Sequence, residues 1–331
     1  MSDAMHPPRP EDGRLRDLWD APVRDLVLLP SPTFAPGQKE RHLIYCQLLM
    51  ALVSHYWNGN KRGQPGTYPS REGQKDPDGH YAGGDYLGHN IACIAVDAEG
   101  EVIDFDFNHN EILNSSVEHA ESRLVRRVFS LTQLHNGWAT SEVTATPKPI
   151  AYSNVLSDVT IYTSLESCSQ CSGIMALGSV KEVVFLQRDP GQNSIGNILR
   201  QLSPVGATYM APLPIPADAL GLDGFTRLDE RYREYVAGVG AKPFHVAPDG
   251  KKDASSSITS FLCTDAAKEV FDEARDYFEA MGELTEPGFK PKRPDGGEVP
   301  GALSNAKVLE HVRRFYAYAA SNGRRGTPHK L

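Results

Sequence analysis

Two short stretches constrain this chain more tightly than anything in its composition. Residues 116–121 read Ser-Val-Glu-His-Ala-Glu, an H-x-E pattern at His119 and Glu121. Residues 165–171 read Leu-Glu-Ser-Cys-Ser-Gln-Cys, a C-x-x-C pattern at Cys168 and Cys171. One imidazole and two thiolates form a ligand set for zinc that leaves a fourth position open for water. His119 and Cys168 lie 49 positions apart, so a fold that uses them together has to bring two helix starts within a few ångström of each other. The flanking pattern predicts such starts. Val117, Leu124, Val125, Val128 and Phe129 recur at helical spacing, which predicts a helix over 117–131 capped by Ser115 or Ser116. Residues 168–177 read as a second helix between β-prone runs at 155–163 and 181–186, a βαβ unit with parallel strands. Ligands at helix starts meet the positive end of the helix dipole, which favours thiolate over thiol.

Each half of the pattern has a bland alternative. A lone H-x-E is often only polar helix surface, and a lone C-x-x-C also serves thiol redox chemistry at helix starts. Taken together, at two helix starts flanked by strands, they match the zinc-deaminase signature H-x-E followed by P-C-x-x-C. The proline of that signature is Ser167 here. Glu121 follows His119 by two positions, so its side chain projects differently from the ligand and is placed to accept a proton from water at the open position.

Composition narrows the setting. The chain has 331 residues, enough for one domain with large insertions or for two modest ones. Its five cysteines, Cys46, Cys93, Cys168, Cys171 and Cys263, are too few and too irregular for a disulfide framework, which points to a reducing compartment and a cytoplasmic location. No apolar run approaches the ~20 residues of a membrane span, and residues 1–10 do not resemble a signal segment. The net charge of -8 argues against broad affinity for nucleic acid. The balance is uneven, however: 287–331 holds 9 Lys and Arg against 3 Asp and Glu, a local +6 that leaves -14 elsewhere.

The remaining stretches order themselves around the two motifs. Residues 1–37 are proline-rich and read as an N-terminal arm on the surface. Tyr45, Leu48, Leu49, Leu52 and Tyr56 predict an amphipathic helix over 38–57, on which His42 and His55 are weak candidates for anything but packing. Residues 58–90 carry eight glycines without a period and read as a long insertion, either a lid over the site or a disordered loop; His80 and His89 within it have no ligand spacing. Residues 91–96 and 101–107 form a predicted hairpin across Asp97-Ala98-Glu99-Gly100. A second irregular insertion is expected at 133–149, a loop and helix at 189–202, and a last strand at 207–210. Pro212, Pro214 and Pro216 then read as a break, followed by a helical C-terminal extension over 212–331 with helices near 229–239, 264–281 and 304–320, the last two capped by Thr264 and Ser304. The catalytic domain is therefore expected over 38–211.

Between 91 and 202 the order of elements resembles the zinc-dependent cytidine and deoxycytidylate deaminase superfamily, in particular the branch with tRNA adenosine deaminases and guanine deaminases. Asn108, eleven positions before His119, is similar to the substrate-contacting asparagine of that branch; Asn110 and Asn114 are alternatives. Thr163-Ser164-Leu165-Glu166-Ser167-Cys168 and Ser172-Gly173-Ile174-Met175 resemble its T-L-E-P-C-x-x-C-x-G-A motif, and Val183-Val184-Phe185 with Arg188-Asp189 resembles the run that follows. The resemblance implies an α/β/α sandwich around a five-stranded mixed sheet, commonly in homo-oligomers. It also implies Zn2+ on His119, Cys168 and Cys171, Glu121 as proton carrier and Asn108 on the substrate. The expected activity is hydrolytic deamination of a nucleobase presented as free base, nucleoside or nucleotide, as in nucleoside metabolism. Two alternatives stay open. One is a deaminase of RNA or single-stranded DNA, favoured only by the basic C-terminal stretch; the other is a non-catalytic zinc protein, against which Glu121 speaks.

Overall fold

The computed structural model describes residues 11, 13–57, 89–110, 115–139, 156–203, 210–240, 255–293 and 295–322. Its elements follow in the order α1 (Gly13–Leu18), α2 (Val23–Leu26), α3 (Pro36–His55), β1 (Ala92–Val96), β2 (Val102–Phe107), α4 (Ala120–Ala139), β3 (Thr160–Thr163), α5 (Ser169–Leu177), β4 (Glu182–Phe185), α6 (Ile195–Leu202), β5 (Leu213–Pro216), α7 (Asp223–Val239), α8 (Ile258–Phe261), α9 (Asp265–Ala280) and α10 (Asn305–Asn322). The strands form one sheet in the order β2-β1-β3-β4-β5. β1 runs antiparallel to β2 and β3, while β3, β4 and β5 are parallel. This is the mixed five-stranded α/β sheet that the family resemblance implies.

The hairpin between β1 and β2 closes on Asp97, whose Oδ1 accepts the N–H groups of Gly100 and Glu101 at 2.8 and 2.9 Å. Gly100 takes φ +100°, a region that L side chains avoid, and a Cβ there would also run into Arg41. The alternation along β2 then decides which helices cover which face. Phe105 and Phe107 meet Tyr56 at the end of α3, and Phe105 also meets Phe315 of α10. Asp104 and Asp106 instead meet Arg127 and Arg123 of α4. So α3 covers one face and α4 the other, giving three layers. α9 and α10 pack on the outer side of α3, and α10 also reaches β2, where His311 accepts the N–H of Val102 at 2.9 Å.

That outer packing explains a departure from expectation in α3. The sequence pattern suggests a single apolar stripe, yet Cys46, Leu48, Leu49, Met50, Ala51 and Leu52 are all fully buried. A helix held between a sheet and other helices is buried all round. Val308, Val312 and Phe315 of α10 and Phe271 and Phe278 of α9 are at most 1 % exposed and belong to the same core. At about 1.5–3 kcal/mol for each large apolar side chain, α9 and α10 contribute substantially to the fold that carries the sheet.

Other predicted boundaries move. β5 lies at 213–216, and its sequence Leu-Pro-Ile-Pro is the stretch expected to be a break. β5 is an edge strand, where proline's missing N–H is tolerated. α4 begins at Ala120, not 117, and continues through 133–139, where the sequence pattern places an insertion. Gly137 lies within that stretch, and a single glycine costs a helix only about 1 kcal/mol. Val117 is half exposed rather than buried. Thr264 caps α9 by accepting the N–H of Ala267, as predicted. The arm docks on α6, where Asn197 and Gln201 donate to the carbonyls of Val27, Leu26 and Leu28. Residues 58–88 of the insertion expected at 58–90, residues 140–149 of that expected at 133–149, and residues 207–209 of the strand expected at 207–210 lie outside the described residues.

Candidate metal centre

The centre forms where β3 ends. Thr163 is the last residue of β3, and the chain needs only four more residues to reach Cys168, the N-cap of α5, whose carbonyl accepts the N–H of Ser172 at 2.8 Å. On the other side His119 directly precedes α4, and its carbonyl accepts the N–H of Arg123 at 3.0 Å. Neither Ser115 nor Ser116 caps that helix. The cap comes from Asn108, whose Oδ1 accepts the N–H of Ala120 at 2.7 Å across the sheet end. Asn108 is 1 % exposed, and its Nδ2 makes no hydrogen bond among the described residues. Gln170 ties the two helix starts together, donating to the carbonyl of Val117 at 2.9 Å and to Ser122 Oγ at 3.2 Å.

These supports bring the three expected ligands together. The ligand atoms of His119, Cys168 and Cys171 all lie within 4.8 Å of one another. His119 Nδ1 stands 3.4 Å from Cys168 Sγ and 3.6 Å from Cys171 Sγ. Bond lengths of about 2.3 Å to sulfur and 2.0–2.1 Å to nitrogen in a tetrahedral zinc site place nitrogen and sulfur roughly 3.6 Å apart. The donor set and its spacing therefore fit zinc. Cys171 is buried and Cys168 half-buried. Cys168 is the more acidic thiol, lowered to about 4 because Cys171 and then His119 donate to it. Cys171, as the donor in that pair, is pushed up. The His119 ring is raised, chiefly by its hydrogen bond to Cys168.

Glu121 completes the group without joining the three. It is 4 % exposed, and burial raises its carboxyl above the usual range. Its Oε1 accepts hydroxyls from Thr163 at 3.1 Å and from Ser167 at 3.2 Å, while Oε2 stands 3.5 Å from Cys171 Sγ. Spacing alone does not reveal these two hydroxyls. Their only signal is that position 167 holds a serine where the deaminase motif has proline. Glu166 supports the loop from behind, its Oε2 accepting the N–H of Asp189 at 3.0 Å. The weak histidine candidates fall elsewhere: His42 is buried against Tyr162, His55 packs on Tyr56 and Tyr316, and His89 lies beside Asn110.

Comparison with known proteins agrees with this geometry. Residues 79–187 match the cytidine and deoxycytidylate deaminase zinc-binding region. No curated protein sequence matches the chain. Similar solved structures include one from work on A-to-I editing by tRNA:A34 deaminases at the wobble position of transfer RNA, at 18 % identity over 38 % of this chain and 82 % of that one, with a TM-score of 0.24. Guanine deaminase from Bacillus subtilis is 23 % identical over 30 % of this chain and 50 % of its own, with a TM-score of 0.23. A diaminohydroxyphosphoribosylaminopyrimidine deaminase/5-amino-6-(5-phosphoribosylamino)uracil reductase from Thermotoga maritima is 13 % identical over 60 % of this chain and 42 % of its own, with a TM-score of 0.31. The chain thus spans half or less of the latter two proteins. The matched residues 79–187 hold His119, Glu121, Cys168, Cys171 and the first four strands, and the region they match is a zinc-binding one, in agreement with the His and Cys ligands gathered here.

Proposed function

We propose that this protein is a hydrolytic deaminase that removes the exocyclic amine of a nucleobase, presented as a free base, nucleoside or nucleotide, and releases ammonia. The observation that carries this reading is Glu121, a buried carboxylate beside three metal-type ligands but held by hydroxyls of its own. A purely structural zinc site has no use for such an acid. His119, Cys168 and Cys171 hold the metal in this reading. Zinc, when bound, supplies the Lewis acid that makes water a nucleophile near neutral pH. Glu121 takes one proton from the water as its oxygen bonds to the amine-bearing carbon and passes that proton to a ring nitrogen; it then takes the second proton from the added hydroxyl and gives it to the amine, which leaves as ammonia when the C–N bond breaks. Asn108 offers its free Nδ2 to the substrate while its Oδ1 stays on the helix start.

The position of the basic residues favours a small substrate. Lys290 and Lys292 line a cavity of about 720 Å³ together with Thr160 and Glu182, the first residues of β3 and β4. Thr163, which touches Glu121, is at the opposite end of β3. A polynucleotide enzyme needs cations along the path of the backbone near its catalytic centre, and these lysines are not there. Removing 285–331 is no usable test, because α10 is core. Lys290→Gln with Lys292→Gln is the better variant, and it leaves turnover of a monomeric substrate and its salt dependence unchanged in this reading. The decisive experiment is ammonia release by the zinc-loaded protein over a panel of cytosine, adenine and guanine compounds at each level of phosphorylation. Inert monomers, with deamination of a structured RNA or single-stranded DNA that falls steeply with salt, would establish the polymer reading instead.

The setting in this reading is a cytoplasmic homo-oligomer. All five cysteines are free, and among the described residues no helix is long and apolar enough to cross a membrane. Val117 and Leu177 are exposed on the α4–α5 side and are available to a second copy. Light scattering of the purified protein reads the assembly state.

A further inference from the structure

Resting on the deaminase reading above, we propose that Thr163 and Ser167 are positioning residues that fix which oxygen of Glu121 carries the proton. Both hydroxyls converge on Oε1, at 3.1 and 3.2 Å. Thr163 is 0 % and Ser167 5 % exposed, so water does not replace either bond freely. An ionised carboxylate oxygen that accepts two hydroxyl protons has little capacity left for a third donor. Among the described residues Oε2 takes no hydroxyl; it faces the ligand cluster, where the thiol of Cys171 donates to it at 3.5 Å. Oε2 is therefore the oxygen that receives and returns the proton, and Oε1 is the anchor.

The anchor has a particular origin in this chain. Both hydroxyls belong to the segment between the end of β3 and the start of α5, the same segment that presents Cys168. Glu121 belongs to the first turn of α4. The two bonds thus tie the acid on one helix to the segment presenting a metal-type ligand on the other, so that their separation is set by the protein rather than by the rotamer of a glutamate. Proline, the residue that the P-C-x-x-C motif has at position 167, has no side-chain donor and makes no such bond. Ser167 exchanges backbone rigidity before Cys168 for a hydrogen bond to the proton carrier.

The test uses the full-length zinc-loaded protein and needs two readouts. Ser167→Ala and Thr163→Val are each expected to lower kcat about ten- to a hundredfold, the scale of a misplaced reacting group, with KM changed less than about twofold and zinc content unchanged. Ser167→Thr, which keeps the hydroxyl, is expected to restore most of the loss. On a Glu121→Gln background Ser167→Ala is expected to add nothing further. The second readout does not need turnover. The difference infrared spectrum between the wild-type and Glu121→Gln proteins isolates the Glu121 carboxyl band, and Ser167→Ala and Thr163→Val should each shift it. In the cobalt-substituted protein the ligand-field bands should stay in place in both variants. Unshifted carboxyl bands, or a Ser167→Ala loss that persists in full on the Glu121→Gln background, overturn the proposal. Moved cobalt bands with lost metal overturn it as well, because Ser167 then only shapes the Cys168 loop. Thr163→Val keeps the buried shape and decides the matter if Ser167→Ala fails to fold. Shifted bands in a protein inert on every substrate would count against the deaminase reading while leaving the anchor in place.

Discussion

Asn108→Ala separates two roles that the sequence merges into one. Asn108 resembles a substrate-contacting residue, but its Oδ1 also accepts the N–H of Ala120 at 2.7 Å, at a position 1 % exposed, beside an alanine that is fully buried. Removing the carboxamide leaves that N–H without a partner in a place that water does not reach. Such a loss costs about 1–3 kcal/mol, which agrees with the about 0.5–2 kcal/mol of a helix N-cap. Ala120 directly follows His119, so loosening the helix start also loosens the imidazole. Residues that orient a metal ligand from behind change affinity by about 10–100-fold when removed. The expected result in urea unfolding of the metal-free protein is a loss of about 1–3 kcal/mol, and in competition with a chelator a zinc affinity lower by at least about tenfold. Substrate KM rises as well if Nδ2 contacts the base. Unchanged stability and unchanged zinc affinity with a raised KM would refute the cap and leave Asn108 as a substrate contact alone.

Three further outcomes follow from the same geometry. Metal analysis of the purified protein is expected to find about one zinc per chain, and Cys171→Ala to lose it; full occupancy in that variant removes Cys171 from the ligand set. Glu121→Gln is expected to keep zinc and fold while kcat falls at least about 10²–10⁴-fold, and near-normal turnover would assign the proton transfer to another group. Asp104 is buried, and burial raises its carboxyl to about 7 despite Arg127 beside it. A carboxyl raised in the folded state contributes stability that is present below about pH 4 and lost as the pH climbs through about 7. Asp104→Asn should therefore flatten the stability–pH curve between those values, by on the order of a few kcal/mol in all, and a curve of unchanged slope in urea unfolding across that range would contradict it.

What could be read from the chain was the part written in spacing. H-x-E and C-x-x-C located the centre because the two occur together, each at a predicted helix start flanked by strands, and the apolar run at 91–96 with the alternation at 101–107 located β1 and β2. The parts that failed depend on partners distant in sequence. Pro214 and Pro216 looked like a break because nothing local says that β5 will be an edge strand. The α4 start is capped by Asn108 rather than by a neighbouring serine because the end of β2 lies over that helix start, a proximity that no local pattern carries. α3 looked one-sided because α9 and α10, which bury its other side, begin more than two hundred residues later. Glu121 could be named from the motif, but its anchoring could not, since Thr163 and Ser167 reach it only after β3 and α4 meet.

The electrostatics around α4 bear on substrate choice as much as on stability. Arg123, Arg126 and Arg127 follow Glu121 within six positions and would be ready phosphate ligands if they were free. Arg127 Nε stands 2.9 Å from Asp104 Oδ2 and its Nη1 stands 3.2 Å from Asp106 Oδ2, both carboxylates on the covered face of β2. Arg123 reaches Asp106 at 3.2 Å and Glu118 at 2.7 Å, and Arg126 reaches Glu118 at 2.8 Å. Recruiting Arg127 to a phosphate would leave the buried Asp104 without its cation and Asp106 with Arg123 alone, at about 3–5 kcal/mol for such a break, more than one phosphate contact at the surface returns. Arg123 and Arg127 are therefore committed to holding α4 on the sheet, and Arg126 is committed to Glu118. That commitment fixes the helix start that carries His119 and Glu121, and it withdraws these three arginines from any phosphate beside the site, as the small-substrate reading proposed above expects.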